Sequence, residues 1–465
     1  MLVEIKGINE ECGIFGIWGN EDTAAQYAYY GLHSLQHRGQ QSSGIIVKDG
    51  DKLIQHRGLG LVSEVFSKDI LAQMHGTAAI GHVRYSAVSR NQVADVQPFL
   101  FQFENSAMSL AHNGNIVNNH LLREELEEKG SIFQSSSSSE VLAHLIKRQR
   151  RVSFVESVKA ALSQIKGAFS YIILTPNELI AATDPNGIRP LSIGRLGKSF
   201  VIASETCAFD AIGASFLQDI PPGEIVTIND SGMTVERYAD NPELALCSME
   251  FIYLARPDSD IFGVNVHTAR KEMGKTLAKE SPIAADVVTA VPDSGVSAAI
   301  GYAEEMGLPY ELGFIKNRYV ARTFIQPSQE MRELGVKMKL SAVRGVVNGK
   351  RVVVIDDSIV RGTTIKRIVF LLREAGAKEV HVRIPSPMFK YPSYYGIDVT
   401  TADDLIGSSL SKEEICKMIG ADTLEYLSVN GVVNSVNMPF DGKYKGLCMS
   451  YFTGEQPTEL GDYEA

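Results

Sequence analysis

The sequence predicts two fold classes in tandem: an α+β half built on an antiparallel sandwich, then an α/β half built on a parallel sheet. Three observations carry this. The chain has 465 residues, enough for two or three domains, each burying its own core. From residue 12 to about 235, short β-rich runs stand between turns, whereas from about 250 to 430 the rhythm becomes strand, loop, helix. Residues 235–249 read as the linker between them.

In the front half, Ile14–Trp18, Ala79–Val83, Ser170–Leu174, Ser199–Ala203 and Ile225–Ile228 predict strands, and helical patterns fall near 117–129 and 139–163. The serine run 135–139 predicts a polar loop leading into the second helix. In the back half, "ADVVTAV" then "SAAIGYAEEMG", and "KRVVVID" then "TIKRIVFLLREAG" followed by "EVHVRI", alternate strand and helix. That alternation implies right-handed crossovers and a parallel sheet. Residues 431–465 predict an irregular tail with an acidic end.

Composition is that of an ordinary globular protein, with 44% hydrophobic and 22% charged residues. A formal charge of -10 argues against general affinity for nucleic acid or anionic membranes, but permits a local basic site for phosphates. Five cysteines, at 12, 207, 247, 416 and 448, are scattered without a C-x-x-C, which points to a reducing, cytoplasmic setting. The first eleven residues lack the charged and apolar regions of a signal peptide, and no window approaches the ~18 apolar residues of a membrane span.

Residues 352–364, "VVVIDDSIVRGTT", set two adjacent carboxylates, Asp356 and Asp357, at the end of an apolar strand, with Arg361, Gly362, Thr363 and Thr364 leading into a helix. In an open parallel sheet ligands sit at the carboxyl ends of strands, and a helix N-terminus offers free N–H groups to a phosphate. Paired acids would repel that phosphate. A hard divalent cation such as Mg2+, which prefers oxygen ligands and binds phosphate, resolves the conflict. A second strand end, in "VVTAVPDSGVSAA", carries Pro292, Asp293, Ser294 and Gly295, by itself a common turn. Between the two runs, residues 316–345 hold Lys316, Arg318, Arg322, Arg332, Lys337, Lys339 and Arg344 without helical periodicity. Such a segment is either a solvated basic surface or one that meets a polyanion.

The 352–364 run closely resembles the ribose-phosphate-diphosphate binding motif of phosphoribosyltransferases. The resemblance implies that Asp356 and Asp357 hold the ribose hydroxyls and Mg2+, and that Arg361, Gly362, Thr363 and Thr364 hold the 5-phosphate. It further implies that the loop with Ser294 approaches the diphosphate and metal, and that 316–345, Lys339 included, closes over the substrate and excludes water.

Cys12, in "NEECGIFGIWG", would alone read as a buried structural thiol. The runs "GLHSLQHRGQQSSGI" (31–45), "GHVRYSAVS" (81–89) and "LAHNGNIVN" (110–118) reverse that reading, because with Cys12 they resemble class II glutamine amidotransferase domains. Those domains are four-layer αββα sandwiches of the N-terminal nucleophile hydrolase type. The resemblance implies that residues 1–11 are a removable propeptide, Cys12 the nucleophile, Asn113 and Gly114 the oxyanion donors, and Arg84 the binder of the glutamine carboxylate. The chemistry asks for such a set: two-step amide hydrolysis needs a thiol, a base and oxyanion donors. A freed α-amine, which ordinarily titrates at ~7.7 to 8.0, is a suitable base for the thiol proton.

Both halves in this order, with "SETCAF", "DPNGIRPLSIG", "SMEFIYLARPDS" and "NVHTARKEMG", resemble the glutamine phosphoribosylpyrophosphate amidotransferase family along nearly the whole chain. The resemblance implies that Cys12 releases ammonia from glutamine and that this ammonia displaces diphosphate from C1 of the Mg2+-bound sugar. The product is 5-phosphoribosylamine, the first step of purine synthesis, with purine nucleotides as inhibitors and a homodimer or homotetramer as the assembly.

Against that pattern, Gln41 replaces an acid, Ala87 a threonine, and Ser138 the aspartate that pairs with the α-ammonium of glutamine. Loss of one charge-assisted hydrogen bond, roughly 1.5 to 3 kcal/mol, should weaken glutamine binding by about tenfold or more. Some relatives hold a four-cysteine iron–sulfur cluster, but here only Cys247 and Cys448 match, with Ser393 and Tyr451 at the other places. Two thiolates do not complete a four-cysteine site, so no cluster is expected. The competing functions are a sugar-phosphate aminotransferase sharing the front half, which gives no reason for the acid pair, and a nucleotide-sensing protein on a decayed amidotransferase.

Overall fold

The computed structural model describes residues 12–19, 22–85, 93–103, 106–149, 153–317, 340–396 and 405–463. The expectations placed on residues 1–11, on Ala87, and on Arg318, Arg322, Arg332, Lys337 and Lys339 lie outside the described residues.

Two antiparallel sheets stack face to face in the front half. One has seven strands, in the order Ser215–Asp219, Ser192–Leu196, Ser199–Ala203, Gly13–Trp18, Ala78–Arg84, Ser42–Asp49 and Lys52–Leu59. The other has six, in the order Gly232–Arg237, Glu224–Asn229, Leu179–Thr183, Gly167–Leu174, Ala107–Ile116 and Phe99–Gln102. Ile14, Trp18, Ile80, Ala111 and Ile172 fill the layer between the sheets. Phe15, Ile17 and Ile45 pack outward under the helix Ala24–Ser34. Leu110, Tyr171 and Ile173 pack under the helices Asn119–Glu128, Ser139–Arg148 and Phe154–Leu162. With both faces of each sheet covered, alternation between apolar and polar residues is lost, and the central strands read as unbroken apolar runs. Gly167–Leu174, for example, is buried at all eight positions.

One expected helix divides in two. The pattern over 139–163 is interrupted after Gln149, whose backbone is extended, and restarts where the Ser153 side chain accepts a hydrogen bond from the Glu156 N–H. The expected linker also differs: its first residues finish the edge strand Gly232–Arg237, and Leu246–Cys247 pairs in parallel with Leu447–Cys448.

The back half is a four-stranded parallel sheet in the order Val287–Ala290, Arg351–Ile355, Glu379–Ile384 and Thr423–Tyr426. Residues Val288, Ala290, Val353 and Ile355 face one core and Val352, Val354, Val380 and Val382 the other. The first of these cores also takes in Val117, Ala168 and Ile188 of the front half, so the halves meet through shared apolar packing. The segment expected to be an irregular tail carries the helix Val429–Val436 and returns to the front half, where Asp462 accepts the backbone N–H groups of His120 and Leu121. Among the described residues, no helix is long and apolar enough to cross a membrane.

Candidate active sites

Cys12 stands immediately before the strand Gly13–Trp18, half-buried, and its thiol donates to the Tyr85 carbonyl at 3.6 Å. The pairing of Gly13 with Val83 sets Cys12 opposite Arg84, which ends the neighbouring strand and is itself 8% exposed. Asn113 and Gly114 come from the facing sheet. The two sheets are tied at this end by His82, whose Nε2 lies 3.1 Å from the His112 carbonyl. Burial pushes both histidines down to about 3, so their rings are neutral spacers at neutral pH.

Asn113 is 1% exposed, and among the described residues neither atom of its side-chain amide has a hydrogen-bond partner. A buried amide left unpaired costs stability, and such groups in native proteins call for an explanation such as a ligand. Gly114 has φ +130, and a Cβ there would strike the Ala168 carbonyl oxygen. No other residue fits that backbone. Gln41 lies alongside, its N–H donating to the Arg84 carbonyl at 3.0 Å.

At the second site, the strand Arg351–Ile355 ends directly in Asp356 and Asp357, 5% and 7% exposed. Among the described residues, neither carboxylate has a cation within ion-pair distance. Burial, and then the neighbouring Asp357, pushes the Asp356 carboxyl well above the usual range. Six residues on, Gly362 caps the helix Thr363–Glu374 with φ +74, where a side chain would be strained and would strike Ile406 and Met418. This frees the first N–H groups of a twelve-residue helix beside the acid pair. The Ser294 loop is brought alongside, since the Val291 N–H donates to the Ile355 carbonyl and a Cβ on Gly295 would lie 2.5 Å from that same oxygen. Nearby, Lys316 pairs with Asp293 at 3.0 Å.

Among the described residues, no group of three or more His, Cys, Asp or Glu side chains could hold a metal ion. The donor set fits a metal that arrives with its ligand. Mg2+ binds through one or two carboxylates and completes its shell with water and substrate phosphate.

A buried charge network that sequence reasoning missed runs from the Cys12 backbone to Glu250 and Arg270. The Arg38 side chain donates from Nε to the Cys12 carbonyl at 3.2 Å, from Nη1 to Glu205 at 2.5 Å, and from Nη2 to Glu250 at 2.7 Å. Glu250 also faces Arg189 at 3.6 Å, and Arg270 binds the carbonyls of Phe251 and Ala255. Burial tends to raise the Glu205 carboxyl, but His37 and Arg38 outweigh it and hold Glu205 below the usual range. Burial lowers Arg270 to about 10, against the pull of Asp357.

Cys247, Ser393, Cys448 and Tyr451 also converge. The Tyr451 hydroxyl lies 3.4 Å from the Cys247 thiol and accepts from Ser393 at 3.2 Å, and Cys247 and Cys448 are strand partners.

Comparison with known proteins matches residues 82–211 to the glutamine amidotransferase domain family and residues 268–385 to the phosphoribosyl transferase domain family. The chain is 58% identical to the amidophosphoribosyltransferase of Bacillus subtilis over 461 residues, covering 99% of this chain and 97% of that one. It is 54% identical to the Staphylococcus aureus (strain N315) amidophosphoribosyltransferase, covering 100% and 94% of the two chains. The solved B. subtilis glutamine phosphoribosylpyrophosphate amidotransferase complexed with ADP and GMP superposes with a TM-score of 0.93 at 57% identity, covering 97% of this chain and 98% of that one. The chain therefore belongs to the amidophosphoribosyltransferases, which make 5-phosphoribosylamine from phosphoribosyl diphosphate and glutamine-derived ammonia in the first step of purine biosynthesis.

Proposed function

We propose that Cys12 attacks the side-chain amide of glutamine, with the thiol proton passing to its own α-amine once residues 1–11 are removed. Asn113 Nδ2 and the Gly114 N–H receive the oxyanion, ammonia departs with the proton, and water hydrolyses the thioester to glutamate. The unpartnered amide of Asn113 supports this role. Arg84 binds the glutamine carboxylate.

At the other site, Asp356 and Asp357 face the ribose hydroxyls, the helix start at Arg361, Gly362, Thr363 and Thr364 holds the 5-phosphate, and Ser294 and Lys339 meet the diphosphate. Mg2+, when bound by Asp356, Asp357 and Ser294, supplies positive charge between the carboxylates and the diphosphate and so eases departure of that leaving group. Ammonia then displaces diphosphate from C1. The observation that carries this reading is the buried acid pair beside a helix N-terminus, at the carboxyl end of a parallel sheet.

Purine nucleotides are proposed inhibitors, in line with the ADP and GMP bound to the B. subtilis relative, together with a homo-oligomeric assembly and a cytoplasmic location. A second reading, in which free ammonia is the working nitrogen donor, is favoured by the neutral Ser138. Diphosphate release measured with glutamine and then with ammonia tests both. Release with both donors supports the full mechanism, release with ammonia alone the second reading, and release with neither overturns both.

A further inference from the structure

The glutamine site inferred above lacks a carboxylate at position 138, yet the structure brings another buried acid beside Arg84. Asp95, 2% exposed, has its Oδ2 atom 3.9 Å from Arg84 Nη1. It also reaches the loop that carries Ser138: Oδ1 accepts the Ser136 N–H at 2.9 Å, and the Ser136 hydroxyl lies 3.0 and 3.1 Å from the two oxygens. We propose that Asp95 binds the α-ammonium of glutamine in this chain, in place of the missing aspartate.

This role for Asp95 rests on the glutamine-site reading and on what an amino-acid head group requires. The carboxylate and ammonium of glutamine are attached to one carbon, so a site must offer a cation and an anion side by side. Arg84 alone satisfies the carboxylate and leaves the ammonium to be buried without a counter-charge, which is costly. At 3.9 Å, Arg84 and Asp95 are adjacent but beyond hydrogen-bond distance, so a zwitterion can bind across the pair. Asp95 has acceptor capacity left, because a carboxylate offers about four lone-pair sites and Ser136 supplies two donors. Arg57 also feels its charge. The neighbouring buried acid, Glu140 in the first turn of the helix Ser139–Arg148, is committed to the N–H groups of Gln134 and Ser135 and the Ser135 hydroxyl, with His144 Nε2 3.5 Å away.

The test is steady-state kinetics on the full chain, with glutamine and with ammonia, for the parent, Asp95→Asn, and Asp95→Asn combined with Ser138→Asp. The parent should show saturable glutamine use. Asp95→Asn should raise the glutamine KM about tenfold to a hundredfold and lower the ratio of glutamine- to ammonia-dependent turnover accordingly. Adding Ser138→Asp should recover most of that loss, which a merely structural role of Asp95 would not allow. A glutamine KM in Asp95→Asn within twofold of the parent, or an equal fall in both activities without rescue, overturns the assignment and leaves the glutamine-site reading standing. A parent that never saturates with glutamine overturns both.

Discussion

Around Cys12 the protein supplies both signs of charge itself: Arg38 is closed on Glu205 and Glu250, Arg84 faces Asp95, and the histidines beneath are held neutral. Around Asp356 it supplies two buried carboxylates, with no cation within ion-pair distance among the described residues. The first site is electrostatically complete before substrate arrives. In the proposed mechanism the second is completed by what it binds; in this structure it holds a carboxyl that burial drives towards its neutral form. As proposed, amide hydrolysis uses a nucleophile the chain owns, whereas diphosphate displacement draws charge from outside.

Substitutions can sharpen this contrast. The largest effect belongs to Cys12→Ala, which should cut glutamine-dependent diphosphate release by roughly a thousandfold or more relative to ammonia-dependent release. Equal loss of both would mean the thiol is not the source of ammonia. Next, Glu250→Ala leaves Arg38 and Arg189 short of a buried partner and should destabilise the chain by about 3 to 5 kcal/mol in denaturant unfolding. Asn113→Ala follows, with a fall of about 100- to 1000-fold in glutamine-dependent kcat if its amide receives the oxyanion. A change confined to KM would argue for a ground-state contact instead.

The smallest effect is with pH. His82 and His112 are pushed down to about 3, so between about 6.5 and 3 the unfolded chain binds protons that the folded chain refuses. Stability therefore falls as pH drops through that window, by up to about 2 kcal/mol per ring between pH 6.5 and 5. Asp184, pushed up to about 6 by burial, works the other way: folding favours its protonated form between about 6 and 3.8. Two groups against one leave a net loss of stability, and a flat unfolding midpoint from pH 7 to 5 would count against buried neutral histidines.

What the sequence disclosed was local. An apolar strand ending in two acids and followed by a glycine-led helix is a signal within thirteen residues, and the structure keeps those residues together. The antiparallel sandwich of the front half was legible for the same reason, from β-rich runs between turns, whereas its four-layer order was implied only by the resemblance of the Cys12, 31–45, 81–89 and 110–118 runs. The break after Gln149 also had a local sign, the Ser153 to Glu156 cap, but the continuous apolar pattern masked it. The charge network was not legible, because Arg38 meets Glu205 and Glu250 across 167 and 212 residues. Asp95 and Ser136 stand 41 residues apart, and nothing in either local stretch announces the other.

The most direct test of the second site is calorimetric titration of phosphoribosyl diphosphate into the Asp356→Asn, Asp357→Asn double variant, with and without Mg2+, beside the parent. The expected result is Mg2+-dependent binding in the parent, its loss in the variant, and an unfolding temperature in the variant no lower than the parent's, because a buried, unpaired negative charge has been removed. Mg2+-dependent binding of undiminished strength in the variant would contradict a site completed by its ligand and metal.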